Sequence, residues 1–128
     1  MKEILAYYKE TDNKYRWDAW YQDQRFELYI PKWRVPTPIP TSITVRIYTE
    51  SEFGSQIRSI TPAEVSSNPV LAATPIAARI VFNREHTETV RYDPKDAPNE
   101  SEIGSPYIPQ KMLGDPFPSS LVITVNWN

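Results

Sequence analysis

Residues 29–47, YIPKWRVPTPIPTSITVRI, and residues 107–125, YIPQKMLGDPFPSSLVITV, read as two versions of one segment. Aligned without a gap, they are identical at Tyr29/Tyr107, Ile30/Ile108, Pro31/Pro109, Pro38/Pro116, Pro40/Pro118 and Ser42/Ser120. Six further pairs are conservative: Val35/Leu113, Ile39/Phe117, Thr41/Ser119, Ile43/Leu121, Val45/Ile123 and Ile47/Val125. About one identity is expected by chance over such a length at average residue usage. The pattern predicts an internal repeat, 29–47 against 107–125. In each copy proline ends strand pairing, a stiff Pro-x-Pro return follows, and an apolar strand begins. Pro-rich connections ahead of strands also resemble one another through propensity alone, so the course of the two backbones decides between the readings.

Outward from these segments the chain alternates with the period of two expected of half-buried strands. Lys2 to Lys9 is a strand closed by Thr11-Asp12-Asn13. Tyr15, Trp17, Ala19 and Tyr21 alternate with polar neighbours, and after Gln22-Asp23 a third strand carries Phe26, Leu28 and Ile30. Residues 42–50 form a fourth strand, 76–84 and 86–92 a hairpin joined around residues 83–85, and 121–127 a last strand. Phe53-Gly54-Ser55 turns the chain, and residues 94–106 read as a polar loop. Thirteen prolines leave no room for a long helix. One short helix is expected near 62–67, with Thr61 as N-cap and Pro62 at the first helical position. The expected fold is therefore all-β: an antiparallel sandwich or partly open barrel of about seven or eight strands, a single domain over residues 1–128.

Composition narrows the functional classes. The chain has no cysteine, so neither disulfides nor thiolate metal sites are available. The apolar run near the N-terminus is too short for a signal-peptide core or a membrane span, so a cytoplasmic protein without membrane contact is expected. Asn99-Glu100-Ser101 matches a glycosylation triplet and is read as accidental. The net charge of −2 conceals a basic stretch, residues 14–48, and an acidic one, residues 93–102. Such a division suits an anion-binding face or a self-complementary surface, or simply two solvated faces.

Catalytic and metal-binding patterns are weak, and no cofactor is implied. His86 stands alone beside Glu85 and Glu88, and one imidazole with a carboxylate does not make a zinc site. Asp18 and Asp23 are acid–base candidates with no partner that compels a pocket. Three scattered glycines build no phosphate-cradling loop. The aromatic set carries more. Trp17 and Trp20 fall on opposite sides of one strand, so one must face outward. An outward face bearing Trp20, Tyr29, Tyr48, Arg16, Arg25 and Arg46 would suit a protein interface or base stacking with phosphate contact. The competing reading places those aromatics in the core. Trp33 and Arg34, in the first Pro-rich loop, have Lys111 and Met112 as their counterparts in the second. The binding residues expected are Trp20, Tyr29, Trp33, Arg34, Arg46 and Tyr48. Together they point to a non-enzymatic binding or assembly module acting through protein contact, self-associating as a homodimer. The alternative is single-stranded nucleic-acid binding through the basic aromatic face.

Overall fold

A computed structural model describes residues 1–54, 56–95 and 100–128. Eight antiparallel strands close into a barrel: β1 (Lys2–Glu10), β2 (Lys14–Tyr21), β3 (Gln24–Pro31), β4 (Ser42–Tyr48), β5 (Ile76–Glu85), β6 (Thr89–Pro94), β7 (Tyr107–Pro109) and β8 (Ser120–Trp127). Their order around the barrel is β1-β2-β3-β7-β6-β5-β8-β4, with β4 returning to β1. The expected all-β architecture and strand number hold, but the barrel is closed rather than partly open. Alternation fills it: Leu5, Trp17, Phe26, Leu28, Ile30, Ile43, Val45, Ile80, Tyr92, Ile108 and Ile123 are all buried in one core.

Two short helices sit outside the barrel. α2 (Pro62–Ser67) has the expected Thr61 cap, reinforced by Glu64 as a capping box. α1 (Glu50–Phe53) was not expected, although Thr49 and Glu52 form the same box there. The second hairpin turns three residues later than expected, at residues 86–88 rather than around 83–85, beyond a β5 that runs to Glu85. Residues 96–99, within the expected 94–106 loop and including Asn99, and Ser55 of the expected turn lie outside the described residues. Among the described residues no helix is long and apolar enough to cross a membrane.

The strands fall into two sets of four with the same order. β1–β4 lie as 4-1-2-3 and β5–β8 as 8-5-6-7, each a Greek key, and the sets meet at two seams, β3–β7 and β4–β8. Segments 29–47 and 107–125 run through the same succession: strand, 3-10 turn (Lys32–Arg34, Gln110–Met112), Pro-rich return, strand. Both returns contain a cis peptide, Thr37–Pro38 and Asp115–Pro116.

Local hydrogen bonds match pairwise across the halves. Lys32 N–H donates to Asn13 O, and Gln110 N–H to Glu88 O; Tyr7 N–H donates to Thr41 O, and Phe82 N–H to Ser119 O. The Trp17 indole donates to Pro40 O at 2.9 Å, and the Tyr92 hydroxyl to Pro118 O at 2.7 Å. Both first strands shift register at matching places, between Tyr7 and Lys9 and between Phe82 and Arg84. The correspondence thus extends back to Arg16-Trp17-Asp18 against Arg91-Tyr92-Asp93. These triplets are 75 residues apart, whereas Tyr29 and Tyr107 are 78 apart, so no single gapless alignment contains both. At the β3–β7 seam Gly104 N–H meets Tyr29 O at 2.7 Å, and a Cβ on Gly104 would lie 3.2 Å from that oxygen. Glycine allows the approach.

Candidate interaction surface

The outer face of β1, β2 and β3 carries the side chains that the alternation turns away from the core. Trp17 is fully buried and Trp20 is 62% exposed. Ala6 pairs with Asp18, so Ile4 and Trp20, each two residues further along the same face, extend one outward row. Ile4 is 58% exposed and Tyr8 52%. Arg25 stacks over Trp20 at 4.6 Å and over Tyr8 at 5.5 Å, while Arg16 lies 4.4 Å from the Tyr8 ring and 5.7 Å from Tyr29. Stacking of this kind holds large aromatic side chains in place on the surface.

The arginines of this face are matched by carboxylates. Arg16 Nη2 donates to Asp18 Oδ2 at 2.9 Å and to Glu27 Oε1 at 3.0 Å, and Arg25 lies 3.7 Å from the same Asp18 oxygen. Burial works against the Arg16 charge, but Glu27, Tyr29 and Asp18 outweigh it and hold its pKa above the ordinary value. These two arginines and two carboxylates balance, while Lys9, 6.0 Å from the Tyr8 ring, adds a cation that makes no ion pair among the described residues.

The remaining expected residues scatter. Tyr29 sits half-buried at the inner end of this face, beside the β3–β7 seam. Arg46 and Tyr48 lie on β4, where Arg46 faces Lys2 and Thr124 and Tyr48 packs against Phe53 of α1 at 5.5 Å. Trp33 is half-buried and walls a cleft beside the β1–β2 turn. Arg34 is withdrawn from any surface. It is fully buried, its Nε donates to Glu102 Oε2 at 2.6 Å, and its two Nη groups donate to Ala72 O, Thr74 O, Thr74 Oγ1 and Pro75 O. A guanidinium with carbonyl and carboxylate acceptors around it can be buried without a stranded charge. Arg34 therefore ties the first Pro-rich loop to the β4–β5 connection and is corrected from contact residue to internal clamp.

Asp18, Asp23 and His86 do not converge. Asp18 is held by arginines, Asp23 pairs with Lys111 on the surface, and His86 stacks near Tyr107 at 5.7 Å with its Nε2 buried and without a hydrogen-bond partner. Among the described residues no group of three or more His, Asp or Glu side chains could hold a metal ion. The expected face omitted Tyr8, whose outward place follows from the Lys2, Ile4, Ala6, Tyr8 alternation of β1.

Comparison with protein-family models, with curated proteins and with solved structures finds no match.

Proposed function

We propose that the chain is two copies of one Greek-key unit serving as scaffold for a non-enzymatic, cytoplasmic module that works by protein contact and self-associates through the outer face of β1–β3. The observation that carries this reading is internal. Positions Ile4, Tyr8 and Trp20 correspond, through the 75-residue relation, to Arg79, Asn83 and Lys95, and Lys95 N–H donates to Arg79 O where the outward row continues. One half thus builds the same frame with polar residues at all three places, so the frame does not require the aromatic set. Exposed Trp and Tyr held by arginine are the side chains that dominate contact energetics between proteins. Absence of cysteine suits a reducing compartment.

The pairing of both arginines favours this reading over single-stranded nucleic-acid binding, although Lys9 beside Tyr8 makes no ion pair among the described residues. Phosphate contact needs cations free to displace counterions, and here Arg16 and Arg25 already face Asp18 and Glu27. Sedimentation equilibrium at micromolar concentration is the test. The wild type is expected to associate, and Tyr8→Asn with Trp20→Lys to return it to monomer with an unchanged circular dichroism spectrum. A monomeric wild type, or association indifferent to both substitutions, overturns self-association. Salt-sensitive binding of oligonucleotides in an anisotropy titration would favour the alternative.

A further inference from the structure

A cleft of about 930 Å³ opens at the β1–β2 turn, bounded by Asn13, Lys14, Trp33, Arg91, Asp93 and Ser105 among others. Its size falls within the range of small-ligand sites. Lys14, Arg91 and Ser105 also line the adjoining shallower hollow, with Glu27, Tyr29 and Tyr107. Asp93 is already engaged: Ser105 Oγ donates to Oδ1 at 2.7 Å, Arg91 Nε to Oδ1 at 3.0 Å, and Asn83 Nδ2 to Oδ2 at 2.6 Å. Of the cations lining the cleft, Lys32 is held by Glu10 and Arg91 by Asp93, while Lys14 makes no ion pair among the described residues.

The corresponding place in the other half shows what the frame alone demands. There Lys14 is replaced by Thr89, Trp33 by Lys111 and Ser105 by Glu27. Arg16, the counterpart of Arg91, is closed in by Asp18 and Glu27, and its side chain is 9% exposed against 32% for Arg91. Relative to its counterpart, the cleft carries its lysine at position 14 instead of at 111, an indole where that lysine stood, and a serine in place of the carboxylate that closes in Arg16. These changes coincide in one concave place; the indole favours a ring and the replaced carboxylate an anion.

We propose that this cleft binds a small organic anion, a carboxylate or phosphate monoester carried on a planar ring, with the anionic group met by Lys14 and Arg91 and the ring laid against Trp33. Lysine supplies a charge not engaged in an ion pair among the described residues, although Asp12 and Glu27 lie along the same walls; Arg91 supplies a planar fork and the half-buried indole a stacking surface. The site is distinct from the Tyr8–Trp20 face, so either proposal stands without the other.

Nitrogen-15 NMR titrations of the full chain with phenyl phosphate, benzoate and inorganic phosphate test it. Phenyl phosphate or benzoate should shift the Lys14, Gly104 and Ser105 amides and the Trp33 indole N–H saturably, and inorganic phosphate the amides alone. Which ring-bearing probe binds more tightly separates phosphate from carboxylate. Lys14→Gln should weaken binding by about tenfold, as for loss of one charged hydrogen bond, and Lys14→Arg should retain it. Trp33→Leu should weaken the ring-bearing probes and leave inorganic phosphate unchanged. The unperturbed remainder of each spectrum reports that the variant is folded. Absence of saturable shifts by about 10 mM, beyond the millimolar affinity of even weak sites, or equal affinity of wild type and Lys14→Gln, overturns the proposal.

Discussion

The two halves of the barrel solve the same architectural problem with different side chains, and their differences separate what the fold needs from what it merely carries. Where both halves agree in chemistry, the residues hold the frame: Trp17 and Tyr92 each bury a ring and donate to the carbonyl of a matching proline. Where they disagree, three cases arise. Arg34 and Glu102 form a buried ion pair where the other half has Met112 and Gln24. Ile4, Tyr8 and Trp20 expose apolar surface where the other half is polar. Lys14, Trp33 and Ser105 line a cleft whose counterpart has Thr89, Lys111 and Glu27.

The buried pair offers the largest test of that comparison. Arg34→Met, which copies the second half into the first, strands the Glu102 carboxylate and should cost roughly 3–5 kcal/mol of unfolding free energy. Adding Glu102→Gln removes the stranded charge and keeps an acceptor for Ile60 N–H, now 3.0 Å from Glu102 Oε1. Urea denaturation should therefore find the double variant more stable than Arg34→Met alone. If the double variant is no better, charge stranding is not the origin of the loss.

Next in size is Tyr92→Phe, which leaves Pro118 O without its donor and should cost about 1–2 kcal/mol. The same residue gives the barrel an alkaline limit. Burial pushes the Tyr92 hydroxyl up to about 12 from 10.0. The unfolded chain releases this proton first, so the stabilising contribution is complete below pH 10 and is lost as pH rises from there towards 12. Thermal melting of wild type and Tyr92→Phe should show the variant losing less stability over that window.

The outward face should behave oppositely. Tyr8→Asn with Trp20→Lys should change unfolding free energy by within about 0.5 kcal/mol per site, as for surface positions, while changing association. A large loss of stability would mean the aromatics serve the first half's own packing. Smallest is the effect expected at Asp93. Burial raises its pKa, but hydrogen bonds from Ser105, Asn83 and Arg91 outweigh that and hold the carboxyl below its ordinary 3.8. The folded state thus gains stability above that value and loses it as pH falls through the lower, folded one. Melting profiles between pH 5 and pH 2, compared as about three units of acid titration, should be flatter for Asp93→Asn.

Much of the frame was legible because strands advertise a two-residue period and both Pro-rich segments keep their spacing through the strand that follows. Thr61-Pro62 with Glu64 announced α2 by local chemistry alone. Thr49 with Glu52 announced α1 equally well, but four residues are too short for any periodicity to draw attention to them. The wider correspondence was hidden by the change from 75 to 78, which breaks the register between Arg16/Arg91 and Tyr29/Tyr107. Closure was hidden because it depends on β3 meeting β7 across 80 residues, at Glu27 and Tyr107, and no local pattern encodes such a pairing. The site fared unevenly. Trp20 could be turned outward from alternation against Trp17, whereas Arg34 could not be turned inward, because its acceptor Glu102 is 68 residues away. The Lys14 cleft depends on a turn, a 3-10 segment and the approach to β7, brought together only by the barrel.

Closure of the sheet has a final consequence. Every described strand has a paired neighbour on each side, so among the described residues none is left as a free edge for another chain to extend. Under the proposed association, a companion would be recognised through the side chains of the outer face. Partner choice can therefore be rewritten by single substitutions on the outer face without disturbing the ladder beneath it.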